Sequence, residues 1–238
     1  MRAALAFLTA VPGARPPSDR TLRWFPAVGA LLGIALGGLW WGSAKIWPLP
    51  VAAVIVVVAD LGLTGMLHLD GLADSADGLL PHLSRERRLE VMRDPTVGAF
   101  GVGAAVIVLL GRWAVFATLR PAPLLVAALW CVSRTSMATV VNRLTYARPE
   151  SGLASAFSGQ RLPAVAVGVV IGAAAVVAGI WAVPAGPVAV VACLAGFAAV
   201  VHLAQRRIGG FTGDVLGAAG LVGETVGLLV AAARWARW

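Results

Sequence analysis

Seven stretches of this chain come close to the roughly 20 consecutive apolar residues that a helix needs to cross a bilayer: 25–41, 49–67, 97–119, 124–141, 162–183, 185–203 and 215–233. A water-soluble domain of this length has no use for so many. Apolar residues make up 59% of the 238 and charged residues 13%, against about 45–50% and 25% in soluble domains, and mean hydropathy is +0.87. The 28 glycines and 14 prolines are scattered without a period, which excludes collagen-like and disordered chains. The pattern predicts an all-α fold, a polytopic helical membrane protein with six to eight transmembrane helices, organised as one domain over residues 1–238. Residues 1–11 are too short to cross and read as an interfacial helix. Cys131 and Cys193 each sit inside an apolar run and read as packing groups.

Basic residues orient such a chain, because cytoplasmic loops retain them. Arg2, Arg15, Arg20 and Arg23 precede the first span; Arg85, Arg87, Arg88 and Arg93 follow the second; Arg143, Arg148 and Arg161 follow the fourth; Arg206 and Arg207 follow the sixth. The opposite side receives Lys45 and Arg120. The N-terminus and the basic loops are therefore expected in the cytoplasm. Arg234 and Arg237 after the last span lean against a clean odd count, so that segment reads as tilted or re-entrant. The net charge of +8 is then largely an orientation signal at an anionic bilayer and not evidence for a nucleic-acid partner. Trp24, Trp40, Trp41, Trp47, Trp113, Trp181 and Trp235 fall near predicted span ends, where indole suits the headgroup layer. Asp70, Asp74, Asp77, Glu86, Glu90, Asp94, Glu150 and Asp214 map to the same face as the arginines, and carboxylates gathered on an arginine-rich surface look like a site.

The most informative stretch runs from His68 to Gly78. If helical, it places Asp70, Asp74 and Asp77 at i, i+4 and i+7 on one face. Like charges so placed repel, more strongly at a membrane boundary than in water. A divalent cation reverses that sign, and Mg²⁺ accepts a few carboxylates while keeping waters or substrate phosphates. Gly71 and Gly78 leave backbone room for a bulky ligand. The plainer alternative is a solvated helix start with Asp near the N-terminal dipole. Residues 85–94 read as a second short helix ended by Pro95, with Glu86, Glu90 and Asp94 at i, i+4 and i+8. They form either an amphipathic surface paired with Arg87, Arg88 and Arg93 or a second metal shell or phosphate clamp.

Gly209-Gly210-Phe211-Thr212-Gly213-Asp214 opens the last apolar run. It is either an anion pocket of glycine amides or a loop with Thr212 or Asp214 as N-cap. Arg134 lies inside the fourth span, where an arginine needs a partner, a site carboxylate or a substrate phosphate. Asp60 and Glu224 also lie in apolar sequence, and Asp60 is free to pair with Arg134, to accept from the backbone or to act as a ligand. His68, His82 and His202 lack zinc spacing and read as hydrogen-bonded loop or core residues. The chain has no P-loop, no Gly-x-Gly-x-x-Gly, no nucleophile elbow and no Cys-x-x-Cys.

Together these motifs resemble the cobalamin synthases, the adenosylcobinamide-GDP ribazoletransferases. The resemblance rests on His68-Leu-Asp70-Gly-Leu-Ala-Asp74-Ser-Ala-Asp77-Gly78, Arg88-Leu-Glu90-Val-Met-Arg93-Asp94 and Gly209-Gly-Phe-Thr-Gly-Asp214-Val-Leu-Gly217-Ala. It extends to Phe7-Leu8-Thr9, Phe25-Pro26-Ala-Val-Gly29, Ser133-Arg134, Tyr146-Ala-Arg148 and Gly152-Leu153-Ala154. Ala10 departs from it, since relatives often carry a basic residue before the proline. The resemblance implies a bacterial inner-membrane enzyme that uses Mg²⁺ to join adenosylcobinamide-GDP to α-ribazole or its 5′-phosphate, releasing GMP. It implies metal ligands Asp70, Asp74 and Asp77, catalytic carboxylates Glu90 and Asp94, and substrate contacts from His68, Arg93, Arg134, Thr212 and Asp214. A homo-oligomer is compatible with this reading. CDP-alcohol phosphotransferases share an Asp-Gly-x-x-Ala motif, but their pattern expects Arg where this chain has Asp74, and their downstream Gly-x-x-x-Asp-x-x-x-Asp is absent. A proton-coupled transporter would use Asp60, Arg134 and Glu224, yet the acids gather at span ends and no internal repeat is present.

Overall fold

The computed structural model describes residues 1–10, 21–148 and 162–233. Arg15, Arg20, Glu150, Gly152, Leu153, Ala154, Arg161, Arg234, Trp235 and Arg237 lie outside the described residues. The described chain is helical throughout: α1 (Arg2–Leu8), α2 (Phe25–Ser43), α3 (Leu49–Leu63), α4 (Leu67–Leu79), α5 (Arg85–Val91), α6 (Ala99–Thr118), α7 (Pro123–Arg143), α8 (Ala164–Trp181), α9 (Ala185–Ile208) and α10 (Gly213–Ala231), with a 3-10 turn Leu22–Trp24 before α2. Six helices are long and apolar enough to cross a membrane: Leu22–Ser43, Ala99–Thr118, Pro123–Arg143, Ala164–Trp181, Ala185–Ile208 and Gly213–Ala231. This is a multi-pass membrane protein.

Buried fractions sort the helices into a centre and a rim. In α7 and α10, 78% and 72% of the apolar window is buried, against 11% in α8, so α7 and α10 form the centre while α8 is left facing lipid. α10 packs against α9, α4, α7 and α6, and α2 lies along α7. Gly29, Gly33 and Gly37 recur every four residues on α2, and a Cβ there would sit 2.4–2.6 Å from Trp130, Ala127 and Pro123 of α7. Helix contact in lipid rests on such close packing by small residues, because burial there brings no hydrophobic gain.

The second expected span, 49–67, is not continuous. α3 ends at Leu63, and α4 leaves it at 85°. Gly65 takes a left-handed φ of 60°, the Gly65 N–H bonds to the Gly62 carbonyl (3.2 Å), and the Met66 N–H reaches back to Leu61 (2.8 Å). That is a Schellman close, which satisfies the last carbonyls of α3 and redirects the chain. At 15 residues α3 rises only about 22 Å. Counted as one bent span, α3 and α4 bring the total to seven, and α4 crosses the start of α10 at Gly71 and Gly217. Trp40 also departs from its expected headgroup position: it is fully buried, its indole N–H donates to the Phe116 carbonyl (3.2 Å), and its ring meets Phe116 edge-on at 4.8 Å.

Candidate active site

The stretch from His68 is helical, as its spacing predicts, and its carboxylates are joined by one from another helix. At Gly71 the backbones of α4 and α10 nearly touch: a Cβ there would lie 2.8 Å from the Asp214 carbonyl oxygen. Gly71 thus serves helix contact and not the ligand room expected of it, and Gly78 likewise packs beneath Met92 and Arg88. The close approach brings Asp214 beside Asp70 and Asp74. Burial, followed by the charges of Asp70 and Asp214, pushes the Asp74 carboxyl up to about 6, with Arg148 opposing. Crowded carboxylates on partly dehydrated helix ends favour either a proton or a cation.

Arg148, cited in the resemblance without a role, is the counter-charge. Its Nη2 lies 3.1 Å from Asp214 Oδ2 and donates to the Met92 carbonyl at 3.2 Å. Its segment is held by the backbone, because the Ala147 N–H bonds to the Phe211 carbonyl (2.8 Å) and the Phe211 N–H to Thr145 (3.0 Å), with Tyr146 and Phe211 edge-to-face at 5.3 Å. Arg85 fastens the same junction, donating to the carbonyls of Ile208 (2.9 Å) and Ala147 (3.4 Å). Thr212 is the N-cap of α10, accepting from the Val215 N–H, and its hydroxyl donates to Asp214 Oδ2, both at 3.2 Å. Fully buried, Thr212 positions Asp214.

Asp77 also pushes the Asp74 carboxyl up, but its own oxygens are engaged elsewhere. Its two oxygens accept the N–H groups of Gly98 (2.7 Å) and Gly101 (2.9 Å), so it caps the start of α6, which has no side-chain cap of its own. Asp70, Asp74 and Asp77, the expected ligands, are thus joined by Asp214, and Asp77 is the one of them whose oxygens are already engaged by backbone amides. Among the described residues no three His, Cys, Asp or Glu side chains converge closely enough to hold a metal ion. The donor set fits a hard cation that draws one or two carboxylates from protein and its remaining oxygens from phosphate and water, as Mg²⁺ does.

α5 forms as expected, with Ser84 as N-cap accepting from the Arg87 N–H at 3.3 Å. Glu90 is exposed and paired with Arg87 at 2.9 Å. Asp94 accepts both the hydroxyl (2.6 Å) and the N–H (2.9 Å) of Thr96, which hold its carboxyl below the usual range. Arg93 is exposed on the same turn, which abuts the acidic group through the Met92–Arg148 bond. Arg88 instead lies 2% exposed and donates to the carbonyls of Gly78 and Leu79, both at 2.8 Å, satisfying the end of α4.

Arg134 does not reach the acidic group. It is 1% exposed and bound to Glu224 and to Ser133 Oγ. Glu224 is shared with Arg112, whose guanidinium also holds Asp60, Thr225 Oγ1 (2.9 Å) and the Leu221 carbonyl (3.3 Å) and lies 5.0 Å above the Trp130 ring. Trp130 donates to Asp60 at 3.3 Å. Arg134 is thus one corner of a closed interior network joining α3, α6, α7 and α10, and Asp60 pairs with Arg112 instead. Sequence reasoning passed over Arg112, although a lone arginine inside a 20-residue apolar span is the signal that singled out Arg134.

Comparison with known proteins decides what the motifs belong to. Residues 1–232 match the family model for cobalamin-5-phosphate synthase, CobS. The chain belongs to the cobalamin-5-phosphate synthase family. It is 38% identical over 242 residues to the adenosylcobinamide-GDP ribazoletransferase of Escherichia coli O127:H6, covering 95% of this chain and 96% of that one. The proteins of that name from Bradyrhizobium diazoefficiens and Citrobacter koseri are 35% and 39% identical, over 98% and 89% of this chain and 93% and 87% of theirs. No solved structure matches. The resemblance carried by the His68 and Gly209 motifs is thereby confirmed for the family as a whole.

Proposed function

We propose that this protein joins ribazole, or its 5′-phosphate, to adenosylcobinamide-GDP with release of GMP, at the cytoplasmic face of a bacterial inner membrane. The observation that carries the reading is the meeting of Asp70, Asp74 and Asp214 with Arg148 at one end of the helix bundle, in a chain of this family. A ribose hydroxyl of ribazole attacks the corrinoid-side phosphorus, a new P–O bond forms, and the P–O bond to GMP breaks. Mg²⁺, if bound here, would be held by one or two of Asp70, Asp74 and Asp214 and would supply charge neutralisation on the pyrophosphate. Arg148 keeps Asp214 in place, and the exposed Arg93 on the adjoining turn takes up charge on the departing GMP. Glu90, able to leave its exposed pairing with Arg87, receives the hydroxyl proton. Asp94, held acidic by Thr96, is suited to orienting that hydroxyl. Arginine distribution supports the sidedness: Arg85, Arg93 and Arg148 adjoin the site, and the positive-inside rule places them in the cytoplasm.

The test is turnover by purified protein in lipid. With Mg²⁺, adenosylcobinamide-GDP and α-ribazole yield one GMP per corrinoid joined, and CDP-diacylglycerol yields nothing with an alcohol acceptor. Absence of GMP release from the first pair overturns the reading.

A further inference from the structure

Beside the acidic group lies a cavity of about 280 Å³, walled by Phe7, Phe25, Leu67, Met137 and Tyr146, with His68 facing it and Arg148 and Asp214 at one edge. The lining comes from α1, α2, α4, α7, α10 and the 145–148 segment, so its shape is a product of the tertiary fold. Phe7 and Phe25 meet at 5.7 Å with their planes 30° apart. His68 is 6% exposed, and among the described residues its ring makes no hydrogen bond to protein.

We propose that this cavity is the binding site for the heteroaromatic base of ribazole, an inference that rests on the activity proposed above. Its volume lies at the low end for small-molecule pockets, enough for one fused bicyclic base and far too small for a corrinoid. Guanine is the competing ring. It carries an exocyclic carbonyl, an exocyclic amine and ring N–H groups, each costly to bury unpaired; of the charged or ring-nitrogen side chains in the lining, Arg148 and Asp214 are paired with each other, which leaves His68 to meet them. A benzimidazole riboside presents apolar ring edges to apolar walls and one ring nitrogen to the imidazole. Its ribose then emerges at Asp214 and Arg148, beside the carboxylates, which is where the attacking hydroxyl is required.

The test uses full-length protein in lipid and measures KM for each substrate separately. Two variants probe the cavity: His68→Ala removes its polar group, and Leu67→Trp narrows it from a position that is 55% exposed and therefore tolerant of size. Both should raise KM for α-ribazole tenfold or more while changing KM for adenosylcobinamide-GDP less than twofold. Free 5,6-dimethylbenzimidazole should inhibit the wild-type protein competitively against α-ribazole, and guanosine should not. If benzimidazole competes instead with adenosylcobinamide-GDP, or if both variants leave both KM values unchanged, the cavity assignment is overturned while the activity stands. If the wild-type protein turns over neither substrate, both readings fall.

Discussion

Two groups of charges lie within one helix bundle, and they are built on opposite principles. In the interior, Asp60 and Glu224 face Arg112 and Arg134, two against two, and the group is sealed by Trp130, Ser133 and Thr225. At the helix ends, Asp70, Asp74 and Asp214 share Arg148. The first group is neutral and closed. The second carries excess negative charge and opens toward an apolar cavity. The balanced buried network joins helices and leaves Arg134 Nε as its unpartnered donor, whereas the unbalanced group keeps an excess of negative charge that a cation would offset. On the activity proposed above, the reactive charges are the unbalanced ones and not the more deeply buried ones.

The largest expected effect separates the two groups by function. Asp74→Asn should lower turnover by about a thousandfold or more, on the order of 4 kcal/mol in the barrier, with the thermal midpoint unchanged or raised. Glu224→Ala should do the reverse in kind. It strands Arg134 in the interior and leaves Arg112 with Asp60 as its one carboxylate, and loss of one partner of a buried pair costs about 3–5 kcal/mol. Protein yield and the thermal midpoint should fall first, and activity should fall in proportion to the folded fraction. A Glu224→Ala protein of normal stability would break the contrast.

Asp77 tests its boundary. Because its oxygens serve the amides of Gly98 and Gly101, Asp77→Ala should cost about 1 kcal/mol of stability, the usual value of a helix cap. The Mg²⁺ concentration giving half-maximal turnover should stay within twofold. A tenfold rise in that concentration would return Asp77 to the ligand set.

The smallest effect concerns pH. With Asp74 raised to about 6, a proton competes with the cation, so half-maximal Mg²⁺ concentration should climb as pH falls from 7 to 5. In cation-free protein the sign on stability follows from a folded pKa above the model value of 3.8. That contribution is complete below the lower value and is lost as pH rises through about 6. Acidification from pH 7 to 5 should therefore raise the cation-free thermal midpoint slightly, and Asp74→Asn should abolish that rise.

Much of this architecture was legible from local pattern. Apolar run length marked the spans, the spacing of Asp70 and Asp74 marked one helical face, and Pro95 marked the stop after α5. What stayed hidden depends on contacts between distant segments. Nothing near Asp77 announces that Gly98 and Gly101 will present their amides to it. The 85° turn after Leu63 needed the αL geometry of Gly65, which an apolar run reads through. Trp40 has the spacing of a headgroup anchor, and only its packing against Phe116 takes it inside. Arg148 was visible as a motif residue, but its pairing with Asp214 exists because Phe211 and Tyr146 dock by backbone hydrogen bonds.

Cation binding at the unbalanced group is best followed by Mn²⁺ titration of purified protein in lipid with adenosylcobinamide-GDP present, read by electron paramagnetic resonance. The arrangement of Asp70, Asp74 and Asp214 predicts saturable binding to the wild-type protein, loss of at least tenfold in affinity in Asp74→Asn, and unchanged affinity in Asp77→Ala. Equal affinity and equal turnover in the wild type and Asp74→Asn would contradict it.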